Sequence, residues 1–430
     1  MKFKAFNALR PAPGKAARVC AVPYDVVNTD EARQLAANNE DSLLHVSRPE
    51  IDLPGVDIHA DEVYAQGLKA FKSLQERGAL IRDGEDCFYV YRQTMGDHAQ
   101  TGVMGCCHVA DYENNIILKH EKTRQDKEDD RTRHTLTLRA NIGPVFLMYR
   151  DQPAIDAEVA AIMQTAPLEN FVAADNVRHT VWRVNADAVP RLSAHMAGVP
   201  KAYIADGHHR AASAARAARE LAAREDARPP CAMNGASSKN MEGERPREPH
   251  DEANWFLAVM FPASQLNILA YHRCVADLNG LPQADFLAAV GKIFAMREVA
   301  DGVVLGQREA RMYLAGRWYS LTWPEPQGNP VSKLDVSVLQ DRLLAPVLGI
   351  DDPRTNSRIS FVGGIRGAKE LMRRVDSGEA AVAFAMFPVS VGEVMDIADA
   401  DSIMPPKSTW FEPKLRSGVA IHTLDEASTD

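Results

Sequence analysis

Apolar positions fall at helical spacing in "DEVYAQGLKAFKSLQERG" (residues 61–78), which ends in a glycine stop and predicts a helix. The aromatic and β-branched run "DCFYVYRQT" (86–94) predicts a strand, with "TGVMGCCHVADY" beside it as the second arm of a hairpin. "IGPVFLMYR" (142–150) reads as another buried strand. A helix near 156–164, strands near 171 and 180, and a helix near 187–196 follow. They lead into "AYIADGHHRAASAARAARE" (202–220), a short buried strand running into an alanine-rich helix. Further on, "WFLAVMFPASQLNILAYHRCV" joins two apolar runs by a short polar turn, which suggests a second hairpin. The last third predicts helices near 283–296, 337–348 and 367–375, with strands near 313, 319 and 381–387. No internal repeat is visible. This alternation specifies a mixed α/β chain with several antiparallel pairs.

Between residues 224 and 253 the pattern stops. "REDARPPCAMNGASSKNMEGERPREPHDEA" is polar and rich in proline, glycine and charge, and reads as a mobile surface insertion or linker. It divides the chain into an N-terminal α/β region (1–150), a motif-bearing region (151–223) and a C-terminal α/β region (254–430).

Composition narrows the function classes. A net charge of −9 over 430 residues argues against a general nucleic-acid or anionic-membrane binder. The longest apolar run, "AAVAFAMFPV", is too short to span a bilayer, and the N-terminus lacks the apolar core of a secretory signal. Six cysteines without a C-x-x-C pair read as small buried hydrophobes of a reducing cytoplasm. Cys106 and Cys107 precede His108, but strand neighbours point to opposite faces, so no metal site is read there.

The 202–220 stretch poses a problem. Its helix begins with His208, His209 and Arg210, although the positive end of a helix dipole disfavours cations. Gly207 permits a sharp turn and close approach of a ligand, and the free N–H groups after it form an anion site. An anion there would resolve the conflict, with Arg210 gripping it by two bonds. Asp206 either caps the helix or serves as a general base or metal ligand. The plainer alternative is that Asp206 only caps the helix, the histidines are solvated and Arg210 pairs with an acidic side chain elsewhere.

"IADGHHR" resembles the phosphate-gripping turn of the ParB/sulfiredoxin superfamily. The whole chain is similar to the prokaryotic family called domain of unknown function 1015. The matching blocks are "VPYDVV", "HEKTRQDKEDDR", "ANIGPVFLMY", "YIADGHHR" and "IMPPKSTWFEPKLRSG". The resemblance implies a ParB/sulfiredoxin-like core with an additional mixed-sheet region. Through its likeness to free serine kinases it implies phosphoryl chemistry on a small hydroxy amino acid, with a nucleotide or pyrophosphate and Mg2+ as candidate cofactors.

The other blocks supply candidate partners. "LKHEKTRQDKEDDRTRH" follows an apolar strand, placing His120, Glu121 and Thr123 where the strand opens onto a loop; Lys122, Lys127 and Arg131 offer charge for phosphates. "MPPKSTWFEPK" cannot be a regular helix. It sets Lys407, Ser408, Thr409 and Lys414 beside Trp410 and Phe411. Asn28 and Glu31 have the spacing of a helix cap and its reciprocal partner, with Asp25 just ahead as a turn residue or site carboxylate. His45 and Arg48 read as a strand end. No Walker-type loop occurs.

The leading expectation is therefore a phosphotransferase or phosphate-hydrolysing enzyme acting on a small metabolite, serine or phosphoserine favoured. Asp206, Glu121 and His209 are its catalytic candidates. Gly207, His208, Arg210, Lys407, Ser408 and Thr409 would hold phosphate, supported by His120, Thr123, Lys127, Arg131 and Lys414. The alternative is a nucleotide-responsive, ParB-like binding protein without turnover. A metal-dependent hydrolase using His45, His120 and His208 is a third reading, resting on residue types alone.

Overall fold

The computed structural model describes residues 1–226 and 251–425. The insertion read at 224–253 therefore lies largely outside the described residues. The chain forms two compact units. The first comprises Met1–Leu118, Thr123–Gln265 and Pro413–Asp430; the second comprises Lys119–Lys122 and Leu266–Glu412.

The first unit is built on a nine-stranded mixed sheet. Its strands are β1 (Phe3–Lys4), β2 (Tyr89–Met95), β3 (His98–His108), β4 (Ile117–Leu118), β5 (Val145–Tyr149), β6 (Glu169–Val172), β7 (Arg178–Arg183), β8 (Ala202–Asp206) and β9 (Trp255–Pro262). The order is β4-β8-β5-β9-β3-β2-β7-β6, with β1 also paired to β3. The hairpin of β2 and β3 forms as its aromatic and β-branched run predicts, with Met95 opposite His98 at the turn.

Helices α1 (Thr29–Ala36), α2 (Leu44–Ser47), α3 (Asp61–Glu76), α4 (Gln125–Leu138), α5 (Pro153–Ile162), α6 (Val189–Ala197) and α7 (His208–Asp226) complete this unit. In α7, Ala211, Ala214, Ala215 and Ala218 fall on one stripe and join Val145, Leu147, Ile204 and Met260 in a single core cluster. A methyl-only stripe lets the helix sit close to the sheet, which explains the alanine richness. Helix α1 begins with the expected reciprocal cap: Asn28 Oδ1 accepts from the Glu31 N–H, and the Glu31 carboxylate accepts from the Asn28 N–H, each at 2.9 Å.

Two expectations are corrected. Residues 255–275 do not form a hairpin: β9 pairs with β3 and β5 of the first sheet, whereas Tyr271–Val275 pairs within the second unit. An apolar–polar–apolar run specifies two strands but not their partner, and here the short 3-10 turn Ala263–Gln265 passes the chain from one sheet to another. His45 and Arg48 do not end a strand; His45 lies in the one-turn α2. Tertiary packing decides it, because Gly67 of α3 has no side chain and a Cβ there would stand 2.9 Å from Pro49 Cγ and 3.2 Å from the Val46 carbonyl.

The C-terminal segment closes the first unit. Ser417 bridges to Ala21, Ile421 to Leu9, and His422–Thr423 pairs with Ala140–Asn141. Two fully buried glutamines of the sheet hold its start: Gln93 Nε2 donates to the Lys414 carbonyl at 2.8 Å, and Gln100 Nε2 to Gln93 Oε1 at 2.9 Å. Arg416, also buried, donates to Asp175 and, at 3.3 Å, to His179 Nε2.

The second unit has a six-stranded antiparallel sheet and a separate strand pair. Its strands are β10 (Asn267–Leu269), β11 (Tyr271–Val275), β12 (Ala295–Val299), β13 (Glu309–Leu314), β14 (Arg317–Thr322), β15 (Ile359–Gly363), β16 (Val382–Met386) and β17 (Trp410–Glu412). The large sheet runs β12-β14-β13-β16-β11-β15, and β10 pairs with β17. Helix α8 (Gly367–Asp376) packs Leu371 against Cys274, Tyr313, Trp318 and Ala383. Among the described residues no helix is long and apolar enough to cross a membrane.

Candidate functional site

Strand β8 runs antiparallel to β5, and its register shifts between Ile204 and Asp206. Such a bulge re-aims the side chain beyond it. Gly207 follows with φ +93°, and α7 starts at the next residue. A Cβ at Gly207 would stand 2.9 Å from Arg210 Nε and 3.0 Å from its Cζ. The guanidinium is therefore folded back over the turn, in space only glycine leaves open.

This geometry answers the question raised by a helix that opens with cations. Arg210 Nη2 donates to Asp206 Oδ2 at 2.6 Å, Nη1 donates to the Pro144 carbonyl, and Lys414 Nζ lies 3.3 Å from Asp206 Oδ1. Burial alone would raise the Asp206 pKa, but the Lys414 and Arg210 charges outweigh it and hold the carboxyl down at about 2. Asp206 is thus a firmly ionised carboxylate between two cations, a poor proton acceptor and a good organiser of charge. The plainer alternative from the sequence sets the acidic partner of Arg210 elsewhere and the histidines in solvent; here the partner is Asp206 itself, and His208 is buried.

Beyond Arg210 lies a cavity of about 50 Å³, lined among others by Tyr24, Ser47, Arg131, His134, Arg210 and Ser417. The Arg131 guanidinium stands 4.2 Å above the centre of the Tyr24 ring, pairs with Asp130 at 2.7 Å and donates to the Ser47 carbonyl at 3.3 Å. Two polar atoms of this lining, Ser47 Oγ and Arg210 Nε, are buried without a hydrogen-bond partner among the described residues. Buried polar atoms are seldom left so, and two on one cavity mark a place for a polar guest. His134 is neutral, because burial and the Arg131 charge push its pKa to about 3; its Nε2 donates to the Val46 carbonyl at 2.8 Å.

Of the residues picked out in the sequence, Asp206, Gly207, Arg210 and Lys414 come together, and Arg131 shares the cavity with Arg210. His208 is buried, and its charge is among those that lower the Asp206 pKa; His209 is half-buried beside it in α7. Thr123 donates to Glu128 at 3.1 Å near the start of α4, where Lys127 is half-buried. His120, Glu121, Lys407, Ser408 and Thr409 belong to the second unit. There His120 is 1% exposed with Nε2 3.5 Å from Thr409 Oγ1, and Ser408 Oγ donates to the Pro405 carbonyl at 2.7 Å. Lys407 is exposed, and Glu121 is half-buried.

Tyr24, Ser47, His134 and Ser417 were missed. "VPYDVV" signals the loop through Asp25, which is a turn residue whose charge also helps raise the Arg210 pKa against burial. The imagined grouping of His45 with other histidines fails on its own contacts, since Nδ1 lies 2.9 Å from the Asp52 carboxylate and Nε2 faces the Asn39 carbonyl at 3.2 Å. A magnesium ion held by protein ligands does not fit the junction. Both Asp206 oxygens face cations, and among the described residues no group of three His, Cys, Asp or Glu side chains suits a metal.

The family description "Protein of unknown function (DUF1015)" matches residues 3–337. The chain belongs to this family. Curated proteins give no match to this DUF1015 chain. Similar solved structures include a conserved hypothetical protein from Pyrococcus furiosus, with 11% identity, TM-score 0.34, and coverage of 73% of this chain and 93% of that one. A free serine kinase in complex with AMP has 11% identity and TM-score 0.34, covering 73% and 91%. SbnI with a C-terminal truncation, from Staphylococcus aureus, has 9% identity and TM-score 0.35, covering 74% and 87%. At such values the reading of the DUF1015 site rests on its own geometry.

An acid titration checks the charge assignment. A depressed carboxylate contributes stability that is fully present above its ordinary pKa and is lost as pH falls through the folded value. For Asp206 that window runs from 3.8 down to about 2, a contribution of about 2 kcal/mol. Wild type should lose about that much more stability across the window than Asp206→Asn, measured by urea unfolding at each pH. Equal losses would show that Asp206 is not held by its cations.

Proposed function

We propose that the turn at Asp206–Arg210 binds a phosphate-bearing ligand and that this DUF1015 protein is a phosphotransferase acting on a small hydroxy metabolite, serine or phosphoserine first among them. The observation that carries the reading is the gathering of cations at the turn: two largely buried cations, Lys414 and Arg210, converge on the Asp206 carboxylate. They stand at a helix start whose N–H groups also favour an anion. Phosphoryl transfer depends on positioning and charge neutralisation more than on covalent chemistry by the protein, and this arrangement supports both.

In this reading Arg210 and Lys414 neutralise the phosphate, and Gly207 lets it approach the backbone. Asp206 keeps the two cations in place. Proton transfer falls to His209, and a nucleotide or pyrophosphate is the donor, bringing any Mg2+ on its own phosphates.

The test is coupled release of phosphate or nucleotide with serine and phosphoserine, beside calorimetric titration with pyrophosphate. Arg210→Ala should weaken pyrophosphate binding by about 10- to 100-fold, the worth of one or two charge-assisted hydrogen bonds. Lys414→Met should weaken it by about tenfold. Binding without turnover across all donors would favour the nucleotide-responsive alternative. Wild-type affinity in both variants would remove the turn from the reading.

A further inference from the structure

The second unit buries two arginines in its main sheet and treats them differently. Arg311 of β13 is paired with Glu309 at 2.9 Å, and the same carboxylate accepts from Ser320 Oγ at 2.6 Å. That is the usual condition of a buried charge. Arg273 of β11 is as deeply buried, at 3% exposed, yet the groups it contacts are neutral. It donates to the Tyr271 carbonyl and, at 3.3 Å, to the Lys407 carbonyl, and its Cζ stands 5.6 Å from the Phe361 ring centre. Among the described residues no carboxylate pairs with it. Burial drags its pKa to about 10. The fold here holds a cation in low dielectric without a counter-charge, which is costly.

The loop that Arg273 holds is itself cationic. Lys407 adopts a left-handed backbone, φ +54°, although it is not glycine. Its Nζ lies 5.5 Å from the centre of the Tyr271 ring, so Arg273 grips the carbonyl of the same tyrosine that Lys407 covers. Ser408 and Thr409 follow directly, and Thr409 reaches His120. A buried cation, an exposed cation and two hydroxyls thus share one short loop. Local backbone strain at such a residue is tolerated where the surroundings hold it, and Arg273 donates to its carbonyl at 3.3 Å.

We propose that Arg273 is the buried cation of an anion site on the 404–409 loop, and that a phosphate group seated against Lys407 supplies the counter-charge the protein lacks. The inference goes beyond the turn at Asp206–Arg210: it gives the second unit an anion site of its own, at a residue with no sequence signal. It also carries a signature that a merely structural arginine does not have. Replacing an unpaired buried cation by an apolar side chain of similar volume relieves the protein while it harms the ligand.

The experiment compares full-length wild type, Arg273→Met and Arg210→Ala, by thermal melting and by calorimetric titration with pyrophosphate, with adenosine as a control lacking phosphate. The expected result is an Arg273→Met protein that melts at or above wild type without ligand and binds pyrophosphate at least about tenfold more weakly at this second site, with binding at the turn unchanged. A variant that binds pyrophosphate as wild type does, whatever its melting temperature, overturns the inference. If Arg210→Ala has meanwhile lost binding, the turn reading stands and this one alone falls. Absence of pyrophosphate binding in wild type overturns both. Should Arg273→Met not fold, Arg273→Gln is titrated instead against the same tenfold criterion.

Discussion

Gly207→Val is expected to abolish pyrophosphate binding at the turn, with a loss of 100-fold or more, and to lower stability by about 1–3 kcal/mol. Two independent effects combine. At φ +93° a β-branched residue is strained wherever it stands. Its Cβ would also lie within 3.1 Å of Arg210 Nε, Cζ and Nη2 together, so the guanidinium must move. Moving it breaks the 2.6 Å pairing with Asp206 and leaves the carboxylate to Lys414 alone. Gly207→Ala, strained but smaller, should fall between. Titration calorimetry with a melting curve on each variant checks this. A drop in stability with unchanged affinity would make the turn a structural device only.

A chain ending at Glu412 is expected to leave the first unit unfolded. Residues after it bury Leu415, Val419, Ile421 and Leu424 almost completely. Four such side chains contribute on the order of 6–12 kcal/mol, comparable to the whole stability of a typical domain. The truncation also exposes Gln93 and Gln100, whose amides were satisfied by Pro413 and Lys414 carbonyls. Circular dichroism and limited proteolysis of the truncated chain are the measurement. A cooperative melt within a few degrees of wild type would show the segment to be peripheral.

These two expectations draw on features of unequal legibility. Helix α3 could be read from period alone, because it buries one regular face; the β2–β3 hairpin, buried on both faces, is legible from its aromatic and β-branched run instead. The Asn28–Glu31 cap could be read because both halves lie within one turn of chain. The junction at 206–210 stood out as a contradiction, cations where the dipole disfavours them, and the contradiction located the site before any partner was known. What resolves it was not legible: Lys414 reaches Asp206 across 208 positions, and no local rule links them. Tyr24, Ser47 and Ser417 come from three further segments, each unremarkable in its own stretch. The misread hairpin at 255–275 failed for the same reason, since strand partners are chosen by the whole fold. Arg273 carries no sequence signal at all, because a missing carboxylate is visible only once its surroundings are assembled.

The split of the first unit has a consequence for synthesis. Its sheet is finished at Gln265, but the residues that close it begin at Pro413, after the entire second unit. At ordinary elongation rates the ribosome needs on the order of ten seconds to make the intervening stretch. During that interval the glutamine-bearing face of the sheet and the groove awaiting Ile421 stay open, while the Leu266–Glu412 stretch of the second unit has already emerged. Lys414 is made only after that stretch. A nascent or prematurely terminated DUF1015 chain that stops before it therefore carries Asp206 and Arg210 without the second cation of the turn.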